Sequence, residues 1–216
     1  MEYIKVCGLR NLNDMNLCVK CGATALGFIY NIPESVRNLD TPDLQNLLAQ
    51  VPNPAKSVIV LMPADSNELE RLMQTVPADY YQVYINFDFQ ELNKIQNILR
   101  KKLIIGLKLS EFNIEAVSNL INSAYDDFFA FLIDNSEGTG KPLDINLIEK
   151  LKNRVNNKTR LIISGGINTE NIEEVLKKLN PYGIDLSSSL ESSKGIKDPQ
   201  KIKMFFKECK QLGVCK

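Results

Sequence analysis

Short runs rich in Val, Ile, Phe and Tyr recur along the chain, and each is followed by a longer stretch whose apolar residues return at helical spacing. The runs predict strands at Tyr3–Cys7, Ala25–Tyr30, Ser57–Leu61, Tyr80–Ile85, Leu103–Leu107, Phe128–Ile133, Leu161–Ser164 and Gly183–Ser187. Short polar side chains able to cap free backbone N–H groups open several helical stretches, at Asn11–Asp14, Thr41–Asp43, Asp65–Glu68 and Asn168–Glu170. Such alternation predicts a parallel sheet, because parallel neighbours need a crossover connection. Eight units predict an α/β fold closed as a single (β/α)8 barrel. An open doubly wound sheet fits the alternation as well, but it usually has fewer strands and leaves edges to be covered. With no linker or low-complexity tract, one domain over residues 1–216 is expected.

Charge and composition narrow the partners. Lys plus Arg total 26 and Asp plus Glu total 26, so no long-range field favours nucleic acid or an anionic membrane surface, and any anion site has to be local. The chain enters a strand pattern at once, and no stretch approaches the ~20 apolar residues of a membrane span, which predicts a soluble cytoplasmic protein. Five scattered cysteines in a chain of this size point to reduced thiols. Histidine is absent, so acid–base chemistry here falls to Cys, Asp, Glu, Lys or Tyr.

In a barrel of this kind the chemistry sits at the C-terminal strand ends. Those positions carry Cys7-Gly8, Arg37 beyond the second strand, Asp134 with a Glu137-Gly-Thr-Gly-Lys141 loop, Gly165-Gly166, and Asp185 followed by Ser187-Ser188-Ser189. Gly165 and Gly166 ahead of a helix start let backbone N–H groups approach a phosphate, and Ser188 and Ser189 complete the cradle from the next loop. Plainer readings stand beside these: Cys7 as a small buried hydrophobe, Arg37 as a solvated charge, Asp134 as a helix cap. Cys18 and Cys21 lie three apart on one helix, and without a second ligand pair they are assigned to helix packing rather than to a metal. The Gly138–Lys141 loop lacks the spacing of an ATP-binding loop.

Several segments, taken in order, resemble the phosphoribosylanthranilate isomerase family of tryptophan biosynthesis: Lys5-Val-Cys-Gly-Leu-Arg10, Gly22-Ala-Thr-Ala-Leu-Gly-Phe28, Phe131–Lys141, Ser164-Gly-Gly-Ile-Asn-Thr-Glu-Asn171 and Gly183–Ser193. The resemblance implies a compact barrel of the ribulose-phosphate-binding type. It also implies an Amadori rearrangement without metal or cofactor, with Cys7 as general base and Asp134 as general acid. Arg37 would meet the anthranilate carboxylate, Asp185 would face the substrate, and Gly166, Ser188 and Ser189 would grip its phosphate. A small phosphorylated substrate is the expected partner, and the protein is expected to be a monomer or homodimer. The chain departs from the family pattern at Ser189, where glycine is usual, at Tyr84, where histidine is usual, and by one extra residue between Gly27 and Arg37. A phosphate-binding barrel isomerase or epimerase of other specificity, or a non-catalytic sugar-phosphate-binding barrel, are the alternatives. The base role further predicts a Cys7 thiol biased toward its anion by nearby N–H dipoles or by Arg37.

Overall fold

In the computed structural model, which describes residues 1–134 and 143–215, the eight apolar runs become parallel strands: β1 (Tyr3–Cys7), β2 (Ala25–Tyr30), β3 (Lys56–Leu61), β4 (Tyr80–Val83), β5 (Leu103–Lys108), β6 (Ala130–Asp134), β7 (Leu161–Ser164) and β8 (Gly183–Leu186). Each pairs with the next in order, and β8 returns to β1, with Tyr3 beside Gly183 and Lys5 beside Asp185. Because β1 also pairs with β2, the barrel is closed and the doubly wound alternative is excluded.

Among the described residues eight α-helices, α1 (Leu12–Cys21), α2 (Thr41–Leu48), α3 (Ser66–Thr75), α4 (Asn97–Arg100), α5 (Ile114–Ala124), α6 (Ile145–Lys152), α7 (Ile172–Leu179) and α8 (Pro199–Gln211), alternate with the strands. The caps follow the sequence closely at α1, where Asn11 accepts from the Asp14 N–H, and at α3, where Asp65 accepts from the Glu68 N–H. At α2 the cap is Asp40, one residue earlier than expected. The largest shift is at α7, which begins only at Ile172. Asn168 and Asn171 instead bond to each other's backbone, Asn168 accepting from the N–H groups of Glu170 and Asn171, so this polar run builds a turn.

Alternation along each strand divides the core. Ile4 and Val6 of β1 point outward into the large cluster shared with the helices, whereas Tyr3 joins a second cluster with Ala25, Val58, Ile104, Ala130, Leu132 and Ile162. That second cluster fills the N-terminal part of the barrel interior. Further up the same inner face the residues turn polar: Lys5 and Cys7 on β1, Gln82 on β4, Asp134 on β6, Ser164 on β7 and Asp185 on β8.

Candidate active site

The polar ends of the strands open into a cavity of about 660 Å³ lined by Cys7, Arg37, Asp134, Gly165, Gly166, Asp185, Ser188 and Ser189, so every site residue expected from the sequence reaches one pocket. Gln82, Tyr84, Asn168 and Lys194 share the lining. The Glu137–Lys141 loop that follows Asp134 lies outside the described residues.

At the floor, Lys5 is fully buried and donates to Asp185 Oδ2 at 2.8 Å and to Gln82 Oε1 at 2.7 Å. Gln82 passes the contact on, its Nε2 donating to the Tyr84 hydroxyl at 3.1 Å. The second Asp185 oxygen, Oδ1, is buried without a protein partner, although Asp185 lines the cavity. An unsatisfied carboxylate oxygen there is a ready acceptor for a ligand hydroxyl or N–H. Burial pushes the Asp185 carboxyl above its usual range, and the Lys5 ammonium opposes that rise.

Cys7 is buried, and burial pushes its thiol up, while Lys5 and Lys197 pull it down and Asp185 adds to the rise. The net direction in the open site is upward, the reverse of the bias expected from the sequence. The desolvation of a strand-end thiol inside the barrel outweighs the cations around it. Gly27 on β2 is what lets the thiol sit here: a Cβ at that position would stand 2.9 Å from Cys7 Sγ and 2.8 Å from Lys5 Cε.

Arg37 is held at the rim. A two-residue strand, Asn38–Leu39, pairs with Ile29 and Tyr30 of β2 and carries the preceding Arg37 across Gly8, where a Cβ would meet Arg37 Cδ at 2.5 Å. Its guanidinium donates through Nε and Nη2 to both oxygens of Glu191, at 2.8 and 2.6 Å. Glu191 also accepts from Lys197 at 2.9 Å and from the Gly195 N–H at 3.0 Å. Although burial raises it, these bonds together hold its carboxyl down at about 2. Glu191 and Lys197 belong to a small antiparallel hairpin that follows Ser189, and nothing in sequence spacing paired that hairpin with Arg37.

The two candidate phosphate loops are adjacent. Gly165 and Gly166 take φ of 90° and 75°, a pair of left-handed residues that only glycine adopts without strain. The expected presentation of the α7 N-terminus to this loop is displaced, because the 168–171 turn separates them. Ser188 and Ser189 form a short 3₁₀ turn, and Ser189, despite standing where the family usually has glycine, has no positive φ.

Among the described residues no cluster of three or more Cys, Asp and Glu side chains is placed to hold a metal ion. Cys18 is buried in the helix layer. No helix among them is long and apolar enough to cross a membrane.

A closed parallel barrel whose strand ends converge on one polar cavity defines a (β/α)8-barrel enzyme. The model of the N-(5'-phosphoribosyl)anthranilate isomerase family matches residues 4–208, and the chain belongs to that family, the isomerases of tryptophan biosynthesis. The enzyme of that name from Listeria monocytogenes serotype 4b is 31% identical over 207 residues, covering 96% of this chain and 98% of its own. That of Methanothrix thermoacetophila is 27% identical over 205 residues, covering 95% and 96%. The structure is similar to phosphoribosyl anthranilate isomerase from Thermotoga maritima, with a TM-score of 0.81, 27% identity and coverage of 98% of this chain and 100% of that one. A phosphoribosyl anthranilate isomerase in complex with reduced 1-(o-carboxyphenylamino)-1-deoxyribulose 5-phosphate superposes with a TM-score of 0.80, at 28% identity and the same coverage.

Proposed function

We propose that this chain, as one catalytic domain of the cytoplasm acting as a monomer or homodimer without a cofactor, performs the Amadori rearrangement of N-(5-phosphoribosyl)anthranilate to 1-(2-carboxyphenylamino)-1-deoxyribulose 5-phosphate. Asp134, protonated, donates to the ribose ring oxygen; the ring C–O bond breaks and an iminium forms. Cys7 as thiolate then takes the proton from C2 to give an enolamine, which becomes the ketone as C1 gains a proton and the C2 hydroxyl loses one, so that acid and base are restored. The single observation that carries this reading is the convergence of Cys7 and Asp134, from β1 and β6, on one cavity that also holds Arg37 and both candidate phosphate loops. Holding both substrate ends would fix the reacting bonds between acid and base. The Gly165-Gly166 and Ser188-Ser189 loops take the phosphate. Arg37, with Nε and Nη2 engaged by Glu191, keeps Nη1 donors for the anthranilate carboxylate. The unpartnered Asp185 Oδ1 accepts from a substrate hydroxyl or N–H.

Turnover of freshly formed phosphoribosylanthranilate, followed by loss of its fluorescence, tests the reading. The wild type should turn over, and Cys7→Ser and Asp134→Asn should each lose about 10²–10⁴-fold in kcat, the usual contribution of a positioned acid or base. A wild type that binds phosphate yet does not turn over would point instead to another sugar phosphate or to a binding role. Either variant within about tenfold of wild type removes that residue from its assigned step.

A further inference from the structure

Resting on the reading of Cys7 as the base, we propose that Lys5 is its positioning residue: the buried ammonium, tethered by Asp185 and Gln82, stands against the Cys7 sulfur and supplies the positive charge that holds the thiolate in place. Lys5 has no exposed surface, so it cannot serve as a solvated strand-end charge. A lysine so placed is costly unless anions and hydrogen-bond acceptors surround it, and replacing such a pair by apolar groups often loses no stability. The barrel interior just below is apolar, with Val58, Ile104 and Ile162 at comparable strand positions, so an apolar residue could fill this space too.

The geometry gathers two anion-forming groups around the Lys5 side chain. Asp185 accepts from the ammonium at 2.8 Å, and the Cys7 sulfur shares with the Lys5 stem the space left by the missing Gly27 side chain. Lys5 and Cys7 also act on each other by charge, the thiolate favouring the ammonium and the reverse. The groups acting on Cys7 are Lys5 of its own strand, Asp185 of β8, and Lys197 and Arg37 from the Glu191 hairpin and the rim. Tyr3 and Tyr84 also sense it, but burial keeps both phenols protonated. Lys5, Lys197 and Arg37 are three cations, while Asp185 and Glu191 are two carboxylates. Among these groups the cations exceed the carboxylates by one charge, and a Cys7 thiolate balances it. Of the three cations Lys5 alone is not shared with Glu191.

The test reads the thiol itself. Iodoacetamide alkylation of Cys7, followed as the modified peptide by mass spectrometry between pH 6 and 10, should be at least about tenfold slower at neutral pH in Lys5→Met than in wild type, which corresponds to a one-unit rise in the thiol's midpoint. Because Lys5→Met leaves Asp185 buried without its cation, the same comparison is made between Asp185→Asn and the Lys5→Met/Asp185→Asn double variant, where no lone buried charge remains. The double variant should again alkylate at least about tenfold more slowly than Asp185→Asn. A Cys7 rate within about threefold across either pair, at temperatures well below melting, overturns the proposal, since a merely structural lysine would change the melting temperature and leave the midpoint in place. Failure of the base reading is distinguishable: it appears as Cys7→Ser retaining turnover, whatever the alkylation rates.

Discussion

The N-terminal and C-terminal halves of the barrel interior are built by the same strands from opposite materials. On β1, Tyr3 enters the apolar cluster while Lys5 and Cys7, two and four residues on, enter the polar one; on β6, Leu132 is apolar and Asp134 polar; on β7, Ile162 gives way to Ser164. Both halves obey the period of two that turns alternate residues inward. They differ in what burial does. Below, each buried side chain adds hydrophobic stabilisation. Above, the desolvation of Lys5, Asp185 and Cys7 has to be offset by mutual pairing, and one Asp185 oxygen is left without any protein partner. The lower half therefore holds the barrel shut, and the upper half spends part of that stability on groups poised for a ligand.

Substitutions in the two halves should respond to different rules. In the upper half, Asp185→Leu leaves Lys5 as a lone buried charge and should destabilise the protein by about 3–5 kcal/mol in urea melts. Adding Lys5→Met should restore most of that loss. A double variant as unstable as the single one would mean that packing, not charge pairing, dominates there. In the lower half no such rescue exists. Ile162→Ala, at a position with no exposure, should cost about 2–5 kcal/mol by loss of contacts and creation of a cavity. Its kcat/KM per folded molecule should stay within about twofold of wild type, because the chemistry lies higher on the strand. A much larger fall in activity would show that the two halves are mechanically coupled.

How much of this was legible in the sequence follows the same division. Strand positions were read from apolar runs because burial on both faces of a parallel barrel leaves a nearly continuous hydrophobic signal. The β6 boundary moved because Phe128 looks like a strand residue, yet its ring packs edge-on against Phe89 and Phe131 just before the strand. Strand-end residues such as Cys7, Asp134 and Asp185 were found by position, since the barrel fixes where the ends converge. Lys5 and Gln82 were missed: each sits mid-strand, where a polar residue between apolar neighbours looks like an outward-facing one until closure shows which face is inside. The Arg37–Glu191 pair was also beyond reach, because residues 154 apart in sequence meet only through the hairpin after β8. The α7 start was misplaced because Asn168 and Asn171 can cap a helix or close a turn with the same side-chain oxygen.

The rim offers the smallest effect and a comparison of its own, because Arg37 of the Arg37–Glu191–Lys197 cluster is partly exposed, whereas Lys5 and Asp185 are both buried. The Glu191 carboxyl is held at about 2 in the folded protein, against an ordinary value near 4.5. A depressed carboxylate contributes stability that is fully present above its unfolded value, so this contribution should be intact at neutral pH, decline as the pH falls below about 4.5 and be gone near pH 2. Urea midpoints measured at pH 6, 4 and 3 should therefore fall more steeply with acid for wild type than for Glu191→Gln, which has no proton to take up. At pH 7 the Gln variant should also raise KM by roughly threefold to tenfold with kcat little changed, the size of a charge-assisted hydrogen bond reduced by solvent screening, since Arg37 would remain but lose its two-point anchor. Parallel acid slopes for the two proteins would mean that Glu191 is not ion-paired in solution. An unchanged KM alongside divergent slopes would mean that the pair supports the hairpin and leaves Arg37 no role in binding.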